Sequence, residues 1–560
     1  MSKNISGEKR RALLSKIAEI KSFIEQNAND QNASQLLSYL GELTREVNGK
    51  KYGLVFEEHH ESIDEKLENN APVFTEDKDL FIDGGGELNF LLEGDNLASL
   101  KLLEKTHRGK IDVIYIDPPY NTGKEDFIYD DNYVDENDVF RHSKWLSFME
   151  KRLKIARTLL SEKGVIFISI DDHEYSALKF MLDEILGEDC FINNFMWLHG
   201  KGKKNKQSRT LQQYILAYSK INRDILPAWI SIREARGSFS NPDNDPRGEW
   251  FSGSISFSEE RSNKRHENYY TITSPSGIEW TRQWQCTKDE MDEYLKENRI
   301  YFGLSPEYCN TPRIKIFPTD TLEIIPDNIL PNVGTSRSAQ KELDDMIYKI
   351  KNEKGKLVSK FDNPKPIELI KHLITISCES KSSTILDFFA GSGTTGHAVL
   401  KLNAEDGGHR KFILCTNNDN GICRDITYER LKTVITGKRK DGSIYSDGLL
   451  GSLKYLKTDF IDISEKMYYE YADDLLLHVR CLVELENAVN FDRDKTVAIV
   501  LDDDEMEEFV ESVVSSNFNT VKVLYVGHDV LLSSKQERIL KVRNISVNTI
   551  PDYYYGDLAL

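Results

Sequence analysis

Apolar positions recur along this chain with two different periods. Leu13, Leu14, Ile17, Ile20 and Ile24 fall on one helical face, and Leu36, Leu37, Leu40, Leu43 and Val47 repeat the spacing. The polar stretch between them predicts a helical hairpin over 1–50, whose apolar face must be covered by the rest of the chain or by a second copy. From about 81 the pattern changes to short apolar runs. Val113 to Ile116, Gly164 to Ile170, Phe191 to Trp197 and Tyr214 to Tyr218 read as strands, and Trp145 to Leu160 as a helix. The same alternation resumes near 361, with Ile385 to Phe389 and Phe412 to Thr416 as its clearest strands.

Between these halves, 221–345 is rich in Pro, Gly and Asn and carries Trp229, Trp250, Trp280 and Trp284. Alternation around Pro275-Ser276-Gly277 marks a hairpin there. An insertion this long inside one sheet is expected to form a small domain. After 446 a further β/α alternation predicts strands near Thr496 to Leu501 and Thr520 to Val526, around an acidic helix from Asp502. The expected architecture is therefore α/β. Two half-sheets at 51–220 and 346–445 are split by an insert, with a hairpin before them and a small α/β domain at 446–560.

Composition narrows the classes. At 560 residues and 64.4 kDa, with 39% hydrophobic residues, the chain is long enough for two to four domains with real cores. Seven scattered cysteines without a CxxC pair suggest reduced thiols in a cytoplasm. No apolar run approaches about 18 residues and the first residues are polar, so membrane insertion and export are not expected. His59, His60 and His173 lack a third ligand in the sequence pattern, so no metal is assigned. The net charge of −19 argues against a polyanionic partner, but charge acts locally. From Asn193 to Asn222 there is no Asp or Glu, while Lys201, Lys203, Lys204, Lys206 and Arg209 form a basic arm suited to phosphates.

Two motifs carry chemistry. Asp117-Pro118-Pro119-Tyr120 follows the apolar run ending at Ile116, which places it at a strand's carboxyl end. The prolines stiffen the backbone, so a carboxylate and a fixed carbonyl can both accept hydrogens from one exocyclic amine. The Tyr120 ring can stack on the base bearing that amine. Far downstream, Asp387-Phe388-Phe389-Ala390-Gly391-Ser392-Gly393-Thr394-Thr395-Gly396 reads as strand end, glycine turn and helix start. His397 and Ala398 stand where a phosphate-binding P-loop needs Lys and Ser/Thr, so an amino-acid-bearing nucleotide fits better than ATP.

With both motifs in this order, the chain resembles the β class of amino-group DNA methyltransferases, and in detail the modification (Mod) subunits of type III restriction–modification systems. Supporting segments are Tyr52 to Glu57, Leu91 to Leu97, Asn241 to Gly248 and Phe361 to Pro366. The resemblance covers roughly residues 50 to 435. It implies a Rossmann-like S-adenosylmethionine-dependent methyltransferase sheet with an inserted target-recognition domain at 221–345. It further implies that Asp117, Pro118, Pro119 and Tyr120 are catalytic. Asp95 would contact the cofactor adenine, Lys365 and Pro366 would close over its methionine end, and Asp419 would meet the ribose. Asp387, Phe389, Gly391 and Gly393 would complete that pocket. The implied partners are double-stranded DNA, a separate ATP-dependent restriction subunit and a second copy of the chain.

Asp at the head of the tetrapeptide points, by resemblance, to adenine N6. N4-cytosine methylation and a methyltransferase without a restriction partner stay open. C5-cytosine chemistry needs a cysteine nucleophile after proline, and the chain has no Pro-Cys pair. A non-catalytic recognition subunit would have no need of an intact Asp117 or glycine loop.

Overall fold

The computed structural model describes residues 56–551, except 124–126, 130–131, 135–136, 201–206, 230, 235–238, 304–310, 348–349, 352–356, 359–360, 465–471 and 516–519, together with scattered positions between 14 and 44. Most of the amino-terminal hairpin thus lies outside the described residues. Leu14 to Ala18 and the described positions after it are helical, and Ile20 and Leu36 there are exposed.

The larger of two compact units comprises 1–226, 329–371 and 380–560. Its frame is a ten-stranded sheet. In chain order the strands are β1 (Asn70–Glu76), β2 (Leu88–Glu93), β3 (Ile111–Ile116), β4 (Leu160–Ile170), β5 (Phe191–Leu198), β6 (Gln212–Ser219), β7 (Ile329–Leu330), β8 (Thr384–Asp387), β9 (Lys411–Thr416) and β10 (Ser452–Asp462). Their spatial order is β1-β10-β2-β9-β8-β3-β4-β6-β5-β7. From β10 to β4 the neighbours are parallel, while β1 and β6 run against them.

The two half-sheets are one sheet because β8 inserts beside β3, pairing Ile385 with Val113 and Leu386 with Ile114. Parallel strands covered on both faces need apolar side chains in nearly every position. β3 obeys this, with Ile111, Val113, Ile114, Tyr115 and Ile116 all buried. Helices α1 (Asn96–His107), α2 (Arg141–Leu159) and α3 (Tyr175–Ile185) share a core with the strands through Leu100, Leu103, Trp145, Met149, Leu178 and Leu182.

The expected boundary at 446 falls ahead of a strand that belongs to the main sheet. β10 pairs with both β1 and β2, and a later helix, Ala472–Asn487, contributes Val479, Leu482 and Leu485 to the same core. The reason the strand is obscure in sequence is Lys454. It is fully buried in β10, with its ammonium 2.9 Å from Glu76 and 2.6 Å from Glu484. Two carboxylates make that burial tolerable, and the charge interrupts an otherwise apolar run. The small three-stranded parallel sheet follows, as β11 (Val497–Val500), β12 (Val523–Val526) and β13 (Ser546–Thr549) around the helix Asp503–Ser515. Its own core contains Val500, Met506, Val513, Leu524 and Leu540.

The second unit is 227–328 with 372–379. It holds a three-stranded sheet of Phe251–Ser254, Arg313–Ile316 and Ile300–Tyr301, and the antiparallel hairpin Tyr269–Thr273 with Glu279–Gln283. Ile255, Ile272, Trp284, Cys286, Met291 and Ile300 form its core. The segment Asn241 to Gly248 is a structural corner. Asp243 and Asp245 hold the buried Lys315 ammonium at 2.6 and 2.7 Å, and Arg247 bonds Asp245 as well. The Arg247 guanidinium and Lys315 pull the Asp245 carboxyl well below its ordinary range. The helix Ser336–Met346 lies in the larger unit, so the compact insert is shorter than 221–345. No helix among the described residues is long and apolar enough to cross a membrane.

Candidate active site

The parallel strands β2, β9, β8, β3 and β4 all point their carboxyl ends to one edge. Asp95 follows β2, Asp419 follows β9, Phe389 to Gly393 follow β8, and Asp117 to Tyr120 follow β3. The sheet topology thus gathers at one edge residues as distant in sequence as Asp95 and Asp419, as ligand sites in open α/β sheets require.

The Asp117 tetrapeptide is braced from several sides. The indole N–H of Trp145 in α2 donates to the Pro119 carbonyl at 2.7 Å. The next residue, Asn121, is buried with φ 58°. Its amide donates to the Arg141 carbonyl at 3.2 Å and to Glu174 at 2.5 Å. Burial raises the Glu174 carboxyl above its ordinary value, and His142 contacts the same oxygen at 2.6 Å.

The Tyr120 hydroxyl donates to Asp117 Oδ1 at 2.9 Å and also lies 3.3 Å from Gln213 Oε1. Burial and the Asp117 carboxylate push its phenol well above the ordinary range. Lys365 lies beside the tetrapeptide. It donates to Asp117 Oδ2 at 2.5 Å and to the Tyr120 hydroxyl at 2.9 Å. Its backbone carbonyl, by contrast, accepts the Thr394 hydroxyl at 3.2 Å, tying the segment to the loop.

The glycine loop is built for close approach. Gly391 and Gly393 have φ of 49° and 75°, which side-chain-bearing residues rarely adopt. A Cβ at Gly391 would stand 3.2 Å from the Phe361 ring, and one at Gly393 3.1 Å from Thr427. Gly393 is the N-cap of the helix Thr394–Asp406. Beneath the loop the buried Arg430 guanidinium donates to Ser392 Oγ at 3.1 Å and Thr394 Oγ1 at 2.8 Å. Asp387 holds the loop itself, accepting the Phe389 N–H at 3.0 Å and the Thr395 hydroxyl at 2.5 Å.

Asp387 also has a measurable consequence. Burial pushes its carboxyl up from 3.8 to about 7. The folded chain then binds this proton more tightly than the unfolded one, so the group subtracts stability as pH rises from about 4 to about 7. Asp387→Asn, neutral at every pH, should lose this component. Thermal melts of both proteins from pH 4 to 8 should show the wild type losing ground against the variant across that window. Parallel curves would contradict the assignment.

The other expected contacts divide. Asp95 is first a helix cap, with Oδ1 accepting from Leu97 N at 2.8 Å and Ala98 N at 3.1 Å. Its other oxygen lies 3.6 Å from Arg152. Arg152, absent from the sequence reading, is buried, forks onto Glu61 at 2.9 and 3.1 Å, and donates to Asn96 Oδ1 at 2.6 Å. Asn96 in turn donates to the Phe388 carbonyl at 3.0 Å, joining the β2 and β8 loops. The half-buried Phe389 ring lies 5.8 Å from Phe148. Asp419 is exposed and accepts from Asn417. Pro366 is buried next to Lys365.

Lys201, Lys203, Lys204 and Lys206 lie outside the described residues. Arg209 is described and exposed. β5 ends and β6 begins at the catalytic edge, so their connection leaves and re-enters the sheet there. In the second unit, Gln283 Oε1 accepts from Asn263 N at 2.8 Å, and Arg282 lies 5.4 Å over the Trp280 ring. Among the described residues no group of three His, Cys, Asp or Glu is placed to hold a metal.

Asp117 and the glycine loop thus stand together at the carboxyl edge of the parallel strands. The chain belongs to the DNA methylase family of the N6/N4 type, whose model matches residues 111–429. It is 36% identical over 353 residues to the Mod subunit of the type III restriction-modification enzyme StyLTI of Salmonella typhimurium, covering 59% of this chain and 52% of that protein. It is 29% identical to the EcoP15I Mod subunit of Escherichia coli, covering 58% of each. It is also 30% identical to the type II methyltransferase M.KpnI of Klebsiella pneumoniae, covering 72% of this chain and 93% of that one. The chain spans about half the length of the curated Mod subunits it matches.

Proposed function

We propose that this chain methylates the exocyclic N6 of a flipped-out adenine within a short DNA site, using S-adenosylmethionine. We further propose that it is the modification and specificity subunit of a type III restriction–modification system. The observation that carries the reading is the juxtaposition of Asp117 and the Gly391–Gly393 loop on the adjacent strands β3 and β8.

The loop fits the cofactor's amino-acid end. Two glycines leave room for backbone contact, and a helix amino terminus with Arg430 buried beneath favours a carboxylate. Phe389, Asp95 and Asp419 stand at the same edge for the remainder. When bound, the cofactor supplies an electrophilic methyl group. The residues of this chain do the rest. Asp117 Oδ and the Pro118 carbonyl accept the two amine hydrogens, which turns the nitrogen lone pair away from the ring and toward the methyl group. The nitrogen becomes cationic as it takes the methyl group and returns to neutral when one of its hydrogens leaves as a proton, with Asp117 Oδ as the first acceptor on the way to solvent. The Tyr120 ring offers a stacking face to the base. This is orientation and electrostatics, with no covalent bond between enzyme and base.

The clamp touches one base, so the neighbouring base pairs must be read elsewhere. The compact unit 227–328 is proposed as the target-recognition domain, and the arm 201–209 as a phosphate contact. The names of the Mod relatives support a separate restriction subunit as partner. The exposed Ile20 and Leu36 on the amino-terminal helices suit a second copy of the chain. A cytoplasmic location follows from such a role.

The test is modification-sensitive sequencing of DNA from a host expressing this chain alone. N6-methyladenine at one short recurrent site is expected. N4-methylcytosine would select the second reading, since both amines suit the clamp. Unmodified DNA from a host with well-expressed folded protein would refute the proposal.

A further inference from the structure

We propose that the Lys365 ammonium is a stand-in for the target amine, holding Asp117 in the DNA-free protein and leaving when the base enters. The inference rests on the amine-methylation reading above. An N–H donor from nitrogen already occupies the acceptor that the target amine must use, 2.5 Å from Asp117 Oδ2. The side chain is nearly buried, at 8% exposure, and its ammonium lies 5.2 Å over the Tyr120 ring and 5.8 Å over the Trp197 ring.

Two physical reasons make the contact useful and temporary. A half-buried carboxylate without a charged partner is costly. Its surroundings worsen this: Asp387 on β8 and Asp171 after β4 are acidic, and Tyr115, Tyr120 and Gln213 bring no positive charge. His199, after β5, is held toward its neutral form by burial and by Lys365 itself. Lys365 is therefore the cation that faces Asp117. Yet the amine nitrogen gains positive charge as it takes the methyl group, and a fixed ammonium at hydrogen-bond distance would oppose that. A lysine can satisfy both demands because its flexible four-carbon stem can swing while its backbone stays fixed. Here the backbone is fixed, by the bond from Thr394 to the Lys365 carbonyl and by Pro366 behind it.

The distinction between free and DNA-bound protein gives the test. The acid limb of kcat/KM reports the free enzyme, and that of kcat the DNA complex. With Lys365→Met, Asp117 loses its counter-ion only in the free enzyme. The acid limb of kcat/KM should move up by about one pH unit or more, the usual effect of an adjacent opposite charge. The acid limb of kcat should stay in place. Lys365→Arg should keep the kcat/KM limb near the wild-type position but lower kcat/KM across the range, because a forked guanidinium competes with the amine for Asp117. Thermal melts identify a variant that fails to fold, in which case Lys365→Gln serves in place of Met. Equal movement of both limbs would show that Lys365 stays on Asp117 in the complex, and no movement of either would show that the contact is idle. Each result overturns the proposal. Failure of the underlying reading looks different: wild-type protein would then transfer no methyl group, or Asp117→Ala would transfer it normally.

Discussion

Asp117→Ala is expected to reduce methyl transfer by at least two to three orders of magnitude, roughly the loss seen when one preorganised electrostatic partner is removed from a reacting site. Asp117 is the carboxylate of the clamp, and the Pro118 carbonyl alone cannot fix both amine hydrogens. The variant also strips Lys365 of its anionic partner, so its melting temperature must be measured beside its rate. Asp117→Asn is the sharper companion. It keeps the shape and most of the packing, but its amide can direct N–H groups at the amine where acceptors are needed. Both variants should bind cofactor and duplex DNA in calorimetry nearly as the wild type does. Methylation by either at near wild-type rate would remove Asp117 from the chemistry.

Gly393→Val should weaken cofactor binding by about ten- to a hundredfold, given roughly 1–3 kcal/mol for a side chain held in a sparsely populated backbone region. Two effects combine at this position. The φ of 75° is strained for a β-branched residue, and its Cβ would stand 3.1 Å from the Thr427 methyl and 3.4 Å from the Thr427 carbonyl. Thr427 cannot retreat freely, because its hydroxyl donates to the Gly391 carbonyl at 2.6 Å. The whole loop must shift, and with it the helix start that faces the ligand. Titration of S-adenosylmethionine into folded variant checks this. Unchanged affinity would move the cofactor away from the loop.

The sheet was legible in the sequence where burial is two-sided and apolar. β3, β4 and β9 are such runs, and their placement needed only the strand period. β10 was not legible, because the buried Lys454 reads as a surface residue until Glu76 and Glu484 are placed beside it. The positions of the tetrapeptide and glycine loop could be read from local order, strand then turn. Their adjacency could not be read from spacing, since β3 and β8 are brought together by topology across a whole inserted unit.

The site's supports were missed for a related reason. Lys365 meets Asp117 across 248 positions, and local charge spacing gives no hint of a contact so distant in sequence. Arg152 reads as one more charge on an amphipathic helix, yet it is buried against Glu61 and Asn96. Trp145 looks like ordinary core, which it is, except that its N–H fixes Pro119. Asn121 carried a usable signal: a short polar residue directly after a rigid turn is well suited to a positive φ. The basic arm was legible as charge, while its lysines lie among residues whose structure is not described.

The most direct measurement is transfer of a labelled methyl group from S-adenosylmethionine to duplex DNA by the purified chain, followed by identification of the labelled nucleoside. Label in N6-methyladenine, present with the wild type and lost with Asp117→Ala, is the expected result. Label in C5-methylcytosine, or equal label with and without Asp117, would contradict an amine clamp at the carboxyl end of β3.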